Sequence, residues 1–134
     1  MASISVIEGI GKLYAQKLSE YGIKTVEDLL EQCGAKSGRR KVSKDTAIDE
    51  KKLLNWTNKA DLFRIKGIST QYSDLLEASG VDTVKELQHR NPENLLEKMR
   101  EVNREKKLVR QVPAFSQVES FVEQAKHLEP KVTY

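Results

Sequence analysis

Cysteine and histidine are nearly absent from this chain, which has one cysteine and two histidines among 134 residues. A lone cysteine, Cys33, cannot form an internal disulfide, so we expect a reducing compartment. His89 and His127 have no second histidine or cysteine at metal-ligand spacing, so we predict no metal site. The sequence also lacks a phosphate-binding P-loop, a dinucleotide fingerprint and a nucleophile elbow. We therefore expect no enzyme, no catalytic residue and no cofactor.

Long apolar runs are missing as well. No stretch approaches the roughly 20 apolar residues that span a bilayer, and the N-terminus Met1–Ser5 lacks the basic start and apolar run of a signal peptide. We therefore expect a cytoplasmic protein with no membrane partner. Strand-like alternation is absent too, whereas apolar residues recur at helical spacing throughout. The sequence predicts an all-α protein.

The chain contains an internal repeat. Ile7–Gln32 returns 58 positions later as Ile65–Arg90, and a later helix, with Val118, Phe121 and Ala125, repeats Leu53, Trp56 and Ala60 at an offset of 65. A period of this length indicates one supersecondary unit used twice. Nine of the 26 paired positions are identical: Ile7/Ile65, Gly9/Gly67, Ile10/Ile68, Tyr14/Tyr72, Leu18/Leu76, Gly22/Gly80, Thr25/Thr83, Val26/Val84 and Leu29/Leu87.

Helix ends are marked by capping residues within each copy. Gly22 suits a left-handed helix C-terminus, and Thr25 with Asp28 has the spacing of a capping box. Asn91 followed by Pro92 is typical of a helix start. We also expect Ser116 with Glu119 to cap the last helix, and Leu13 to share an apolar face with Tyr14, Leu18 and Tyr21. Together the elements predict two pseudo-symmetric four-helix halves, residues 1–64 and 65–134, packed around one shared core.

The turn that opens the first copy has the properties of a phosphate-binding site. It contains Gly9, Ile10, Gly11 and Lys12. Glycine allows close approach of a ligand to the backbone, and the following helix N-terminus offers N–H donors to an anion. The Lys12 ammonium can neutralise the same phosphate. Because such contacts touch no base edge, nucleic acid bound in this way is bound without sequence preference.

The second turn keeps part of this chemistry. Gly67 repeats Gly9, but Ser69 replaces Gly11 and Thr70 follows it. Serine is a good N-cap, so the turn can persist, while the bare backbone at the point of closest approach is lost. Lys66 adds a positive charge where the first copy has Glu8.

Positive charge is concentrated in the middle of the chain. The net charge is only +3, yet residues 34–66 carry 10 basic and 4 acidic groups. A polyanion would be attracted to this segment, although the same residues could simply solvate helix faces. We include four basic side chains of a predicted helix in the candidate interface: Arg39, Arg40, Lys41 and Lys44.

From Ile7 to about Leu128 the chain resembles a mostly bacterial, uncharacterised family of tandem helix-hairpin-helix domains that carries a domain-of-unknown-function label. The resemblance depends on Ile7–Gly11, Trp56–Ile68, Gly80–Leu87 and Arg90–Leu95. It implies an all-helical tandem fold of helix-hairpin-helix (SAM-like) units. It also implies DNA binding, as in related hairpins of Holliday-junction-binding, polymerase and ligase proteins. Ser69 departs from the glycine usual at its position.

Two functions are distinguished by these observations, and a third, an accessory domain that acts beside a separate catalytic protein, is consistent with either. The first is a non-enzymatic, sequence-independent nucleic-acid-binding module that contacts the backbone through both turns. The alternative is a protein-interaction scaffold that binds no nucleic acid. It is favoured by the modest net charge, by Glu8 in the first turn and by the mixed charges of Glu93–Lys107.

Overall fold

The computed structural model describes residues 2–134, and the regular secondary structure in that range is helical. Within this range there is no β-strand; an isolated bridge joins Ser3 to Thr25. The prediction of an all-α fold is confirmed. A 3-10 helix, Ile4–Val6, precedes eight α-helices: α1 Lys12–Tyr21, α2 Val26–Cys33, α3 Lys36–Thr46, α4 Glu50–Leu62, α5 Thr70–Ala78, α6 Val84–Gln88, α7 Pro92–Lys106 and α8 Phe115–Lys126.

The helices fall into two compact units. The first runs to Asp61 and also includes Lys131–Tyr134, and the second is Leu62–Pro130. The sequence did not predict that the last four residues belong to the first unit. The division at residues 64/65, the pseudo-symmetry and the single shared core stay predictions.

The first unit is built around α1–α4, with α3 packed against α1 and α2. Its start is held by backbone hydrogen bonds from Ile4 N to Lys24 O (3.2 Å) and from Val26 N to Ala2 O (3.0 Å). The burial of large apolar side chains supplies most of its stability. Those with almost no exposure are Ile7, Leu18, Ile23, Leu29, Ile48 and Leu53.

A buried arginine joins the C-terminal residues to this unit. Thr133 N donates to Gly34 O (2.9 Å). The Arg39 guanidinium donates to Cys33 O (3.0 Å), Gly34 O (2.8 Å) and Thr133 O. Arg39 is only 3% exposed, so its charge is balanced by carbonyl dipoles rather than by water.

The second unit has one continuous apolar core. Helix α7 packs against α5 and α8, and α6 packs against α8. The Gln88 amide crosses to the end of α8, where Nε2 donates to Ala125 O (2.8 Å) and Leu128 O (2.9 Å). The core includes Leu75, Leu76, Val84, Leu87, Leu95, Met99, Val118 and Phe121.

Most of the predicted helix ends are confirmed. Gly22 is left-handed (φ +105°) and ends α1. Thr25 and Asp28 form the capping box, and Asn91 caps α7 with Pro92 in its first turn.

Two expectations were wrong. Leu13 is 80% exposed, because it lies about 100° around the helix from Tyr14 and misses the apolar face. Ser116 does not cap α8, because this helix begins at Phe115 and its N-cap is Ala114. Ala114 N donates to Gln117 Oε1 (2.8 Å).

Backbone hydrogen bonds recur at the spacing of the sequence repeat. Ile10 N donates to Ile7 O (3.2 Å), as Ile68 N does to Ile65 O (3.3 Å). The loop after the next helix is closed by Ile23 N to Leu18 O in the first copy and by Val81 N to Leu76 O in the second, both at 2.8 Å. The repeated sequence therefore has repeated local geometry.

Candidate nucleic-acid interface

The first turn, Ile7–Lys12, presents its glycines to solvent. Gly9 has φ +94°, a conformation that other residues rarely adopt. Ile7 and Ile10 are buried and anchor the turn from below. Gly9, Gly11 and Lys12 are exposed. Residues 5–11 line a shallow surface depression of about 360 Å³.

Gly11 is not required by the fold. It is the N-cap of α1 with φ −72° and ψ 175°, which any residue can adopt, and it provides no side-chain cap. A Cβ added there would have no heavy atom within 4 Å. The first intrahelical bond is donated by Ala15 N to Gly11 O (2.9 Å). The amides of Lys12, Leu13 and Tyr14 are therefore the uncapped donors of an exposed helix N-terminus.

The second turn, Ile65–Thr70, has the same backbone path with a capped helix. Gly67 has φ +98°. Ser69 takes the position of Gly11, and its side-chain oxygen accepts from Tyr72 N (3.3 Å). Lys66, Gly67 and Ser69 are exposed, and Thr70 is half-buried. One of the donors at this helix N-terminus is thus already occupied.

An aromatic ring supports each turn from beneath. A Cβ on Gly9 would lie 3.3 Å from Trp56 Nε1, and one on Gly67 would lie 3.0 Å from Phe121 Cε1. Tyr14 packs against Trp56 with ring centroids 5.1 Å apart, and Tyr72 packs against Phe121 at 6.3 Å. Since Trp56 and Phe121 are buried, they position the turns and are not surfaces for base stacking.

Two side chains that the sequence analysis did not single out hold the turns in place. Lys59, only 8% exposed, donates from Nζ to Glu8 O (3.3 Å). The Gln124 amide accepts from Lys66 N (2.9 Å) and donates to Lys66 O (3.1 Å). Lys59 and Gln124 are 65 positions apart, the offset already visible for Trp56 and Phe121. Applying the same offset of 65 to the residue three positions after Trp56 would have identified both Lys59 and Gln124.

Of the basic residues predicted on the middle segment, three are accessible. Arg40, Lys41 and Lys44 are exposed on α3, the helix that packs against α1. Arg39 is different, because its guanidinium is buried and donates to three carbonyl oxygens. We therefore leave Arg39 out of the interface; helical spacing places it on the inner face of α3 beside Val42.

The sequence matches the family described as Domain of unknown function (DUF4332) over residues 8–128. The chain belongs to this family. The match includes all eight α-helices, the second glycine turn and the first glycine turn from Glu8 onwards. No match was found among curated proteins or among solved structures.

Other chemistry is sparse in the part of this DUF4332 chain that the structure describes. Across residues 2–134, no group of three or more histidine, cysteine, aspartate or glutamate side chains is arranged to hold a metal ion. None of the helices in that range has the length and apolar character needed to cross a membrane. Burial raises the pKa of the Cys33 thiol to about 11, which leaves it a poor nucleophile at neutral pH. The absence of enzymatic activity stays a prediction.

Proposed function

We propose that the two turns are tandem helix-hairpin-helix units, and that this DUF4332 chain is a non-enzymatic module that binds DNA through its phosphate backbone without sequence preference. The first turn, Gly9–Lys12, is the principal contact. Lys66, Gly67, Ser69 and Thr70 form the second contact, and Arg40, Lys41 and Lys44 add positive charge to the first unit.

The observation that carries the proposal is Gly11. Glycine is a weaker N-cap than serine, and nothing in the first unit fills the space that a side chain would occupy. The same position in the second copy holds Ser69, which does cap its helix. A phosphate that approaches the backbone of the first turn gives a reason for glycine, since any side chain would lie between it and the N–H donors.

Charge supports the same assignment for the first turn. Lys12 is exposed and directly follows Gly11, so its ammonium lies on the same sequence segment as the uncapped amides. Glu8 is exposed at the opposite end of the turn and opposes anion binding. Lys66 stands at the corresponding position of the second turn and favours it.

A fluorescence anisotropy titration with a labelled DNA duplex at several salt concentrations tests the proposal. If about 3 to 5 phosphates are neutralised, log K falls against log salt with a slope of about −3 to −4.5. Lys12→Glu should weaken binding to every sequence alike and reduce the slope by about 1. The matched control is Lys17→Glu, because Lys17 is also exposed on α1 but lies more than one helical turn beyond Lys12 and about 140° around the helix from it. No binding at low salt, or an equal effect of the two variants, would refute the assignment.

The alternative is a protein-interaction scaffold, and Leu13 is the observation that favours it. Leu13 is 80% exposed beside the first turn, and burying it against a partner would remove apolar surface from water. This function predicts capture of a partner that survives nuclease treatment, is lost in Leu13→Ser and is indifferent to Lys12→Glu.

A further inference from the structure

Helix α7 carries an exposed stripe of charge on the side away from the core. Its residues follow one another at steps of four and three, which return to one side of an α-helix. The opposite side, with Leu95, Met99 and Val102, is buried. The charged stripe consists of Glu93, Glu97, Arg100 and Arg104 on α7 and of Lys107 directly after its end, all exposed.

The charged stripe forms one wall of an open groove of about 840 Å³, lined also by Asn103 and Val112. The other wall is fixed in place by side-chain bonds. Asn103 Nδ2 donates to Val109 O and its Oδ1 accepts from Val109 N, both at 3.0 Å. The Tyr72 hydroxyl donates to Gln111 O (3.4 Å). The groove is therefore preformed.

Within one copy the α7 part of the stripe contains two pairs of like charges and one pair of opposite charges, Glu97 and Arg100, which are three residues apart. Glu93 and Glu97 are four residues apart, as are Arg100 and Arg104, and like charges at this spacing repel each other. Within residues 2–134, no ion pair is formed by any of the five side chains of the stripe. The stripe thus has an acidic N-terminal half and a basic C-terminal half, neither neutralised within the chain.

We propose that the occupant of this groove is α7 of a second copy of the chain, packed antiparallel. An antiparallel pairing places Glu93 and Glu97 of one copy opposite the basic half of the other, and the two-fold axis repeats the contact. A parallel pairing places glutamate on glutamate and arginine on arginine. The stripe is therefore complementary to itself in one orientation only.

Exposed ion pairs contribute little to affinity but strongly favour one orientation over another. The arginine and lysine stems, with Val112, supply the apolar part of the contact. We therefore expect weak association that falls as salt screens the charges. This surface is independent of the two glycine turns, and its test does not involve nucleic acid.

Two charge-reversed variants test the proposal by sedimentation equilibrium. Glu93→Lys with Glu97→Lys makes the stripe wholly basic, and Arg100→Glu with Arg104→Glu makes its first four residues acidic. At low salt, where the screening length reaches about 30 Å at about 0.01 M, the wild-type chain should dimerise as its concentration rises. Each variant alone should be monomeric at those concentrations, and an equimolar mixture of the two should form a heterodimer.

The control exchanges charges elsewhere on α7. Lys98→Glu with Glu101→Lys, both exposed and outside the stripe, should dimerise like the wild type. Circular dichroism verifies that each variant is folded. A second test uses the wild type alone, whose dimer should dissociate as the salt concentration is raised. A monomeric wild type at every concentration would overturn the proposal, leaving the groove to a different molecule. Dimers of either variant alone at wild-type strength, or a monomeric mixture, would overturn it too.

Discussion

Replacing Gly11 with serine separates the stability of the first turn from its function. The backbone angles at Gly11 (φ −72°, ψ 175°) are nearly those of Ser69 (φ −86°, ψ 175°), whose side chain caps its helix. A Cβ at Gly11 has no heavy atom within 4 Å. The substitution is therefore free of strain, and we expect the new hydroxyl to accept a hydrogen bond from Tyr14 N, as Ser69 does from Tyr72 N.

The expected changes in stability and in affinity have opposite signs. Replacing glycine at an unstrained position stabilises the folded state by about 0.4–1 kcal/mol through the unfolded chain, and the better cap adds a few tenths of a kcal/mol. The same hydroxyl occupies a donor that a phosphate would use. Loss of one hydrogen bond to a charged group is worth about 1.5 kcal/mol or more, which is about a tenfold weaker Kd.

Urea unfolding gives the stability of Gly11→Ser, and anisotropy with a labelled duplex gives its Kd at fixed salt. The expected result is a variant that is more stable than the wild type and binds DNA about tenfold more weakly. Loss of binding could then not be attributed to unfolding. If Gly11→Ser binds DNA as well as the wild type, the turn does not place a phosphate at its bare backbone, and the reasoning is wrong.

Three further predictions concern the supports around the turns and the helix caps. Gln124→Ala removes both side-chain bonds to Lys66 and should lower the free energy of unfolding by about 1–2 kcal/mol in urea. Arg39→Ala leaves three carbonyl oxygens without their donor and should lower the free energy of unfolding by about 3 kcal/mol. At a temperature where this variant is still folded, we expect its affinity for DNA to equal that of the wild type. Hydrogen bonds from Lys24 N and Thr25 N lower the pKa of Asp28 below its usual 3.8, so its stabilisation is present above that value and lost as pH falls through the folded pKa. Asp28→Asn should therefore weaken the acid dependence of the urea midpoint; an unchanged dependence would contradict this origin.

The helices and their ends could be predicted because they depend on local rules. Gly22, the Thr25–Asp28 box and the Asn91–Pro92 start follow from capping chemistry within four residues of each other. The burial of Ile7 and Ile10 follows from the repeated turn. Ser116 was mispredicted because α8 begins two residues before the start that a Ser116 cap requires, and helix boundaries are uncertain by one or two residues. Leu13 was mispredicted because a leucine next to Tyr14 was assigned to the apolar face, although adjacent residues lie about 100° apart on a helix.

The supports of the candidate site depend on contacts between distant parts of the chain. Lys59 meets Glu8 across 51 residues, and Gln124 meets Lys66 across 58. Helical spacing alone could not show that Arg39 would bind the carbonyl of Thr133, 94 residues away. Arg39 was assigned to the interface because charged side chains are usually exposed. In the structure, its side chain is buried where the C-terminal residues pack against the first unit.

The amide resonances of the two turns test the central claim most directly. In a two-dimensional nitrogen–proton NMR titration with a DNA duplex, we expect the largest shifts at Gly9–Tyr14, with smaller shifts at Lys66–Gln71. Those shifts should vanish as salt is raised and be the same for duplexes of unrelated sequence. Shifts confined to other surfaces, or none at low salt, would contradict the account.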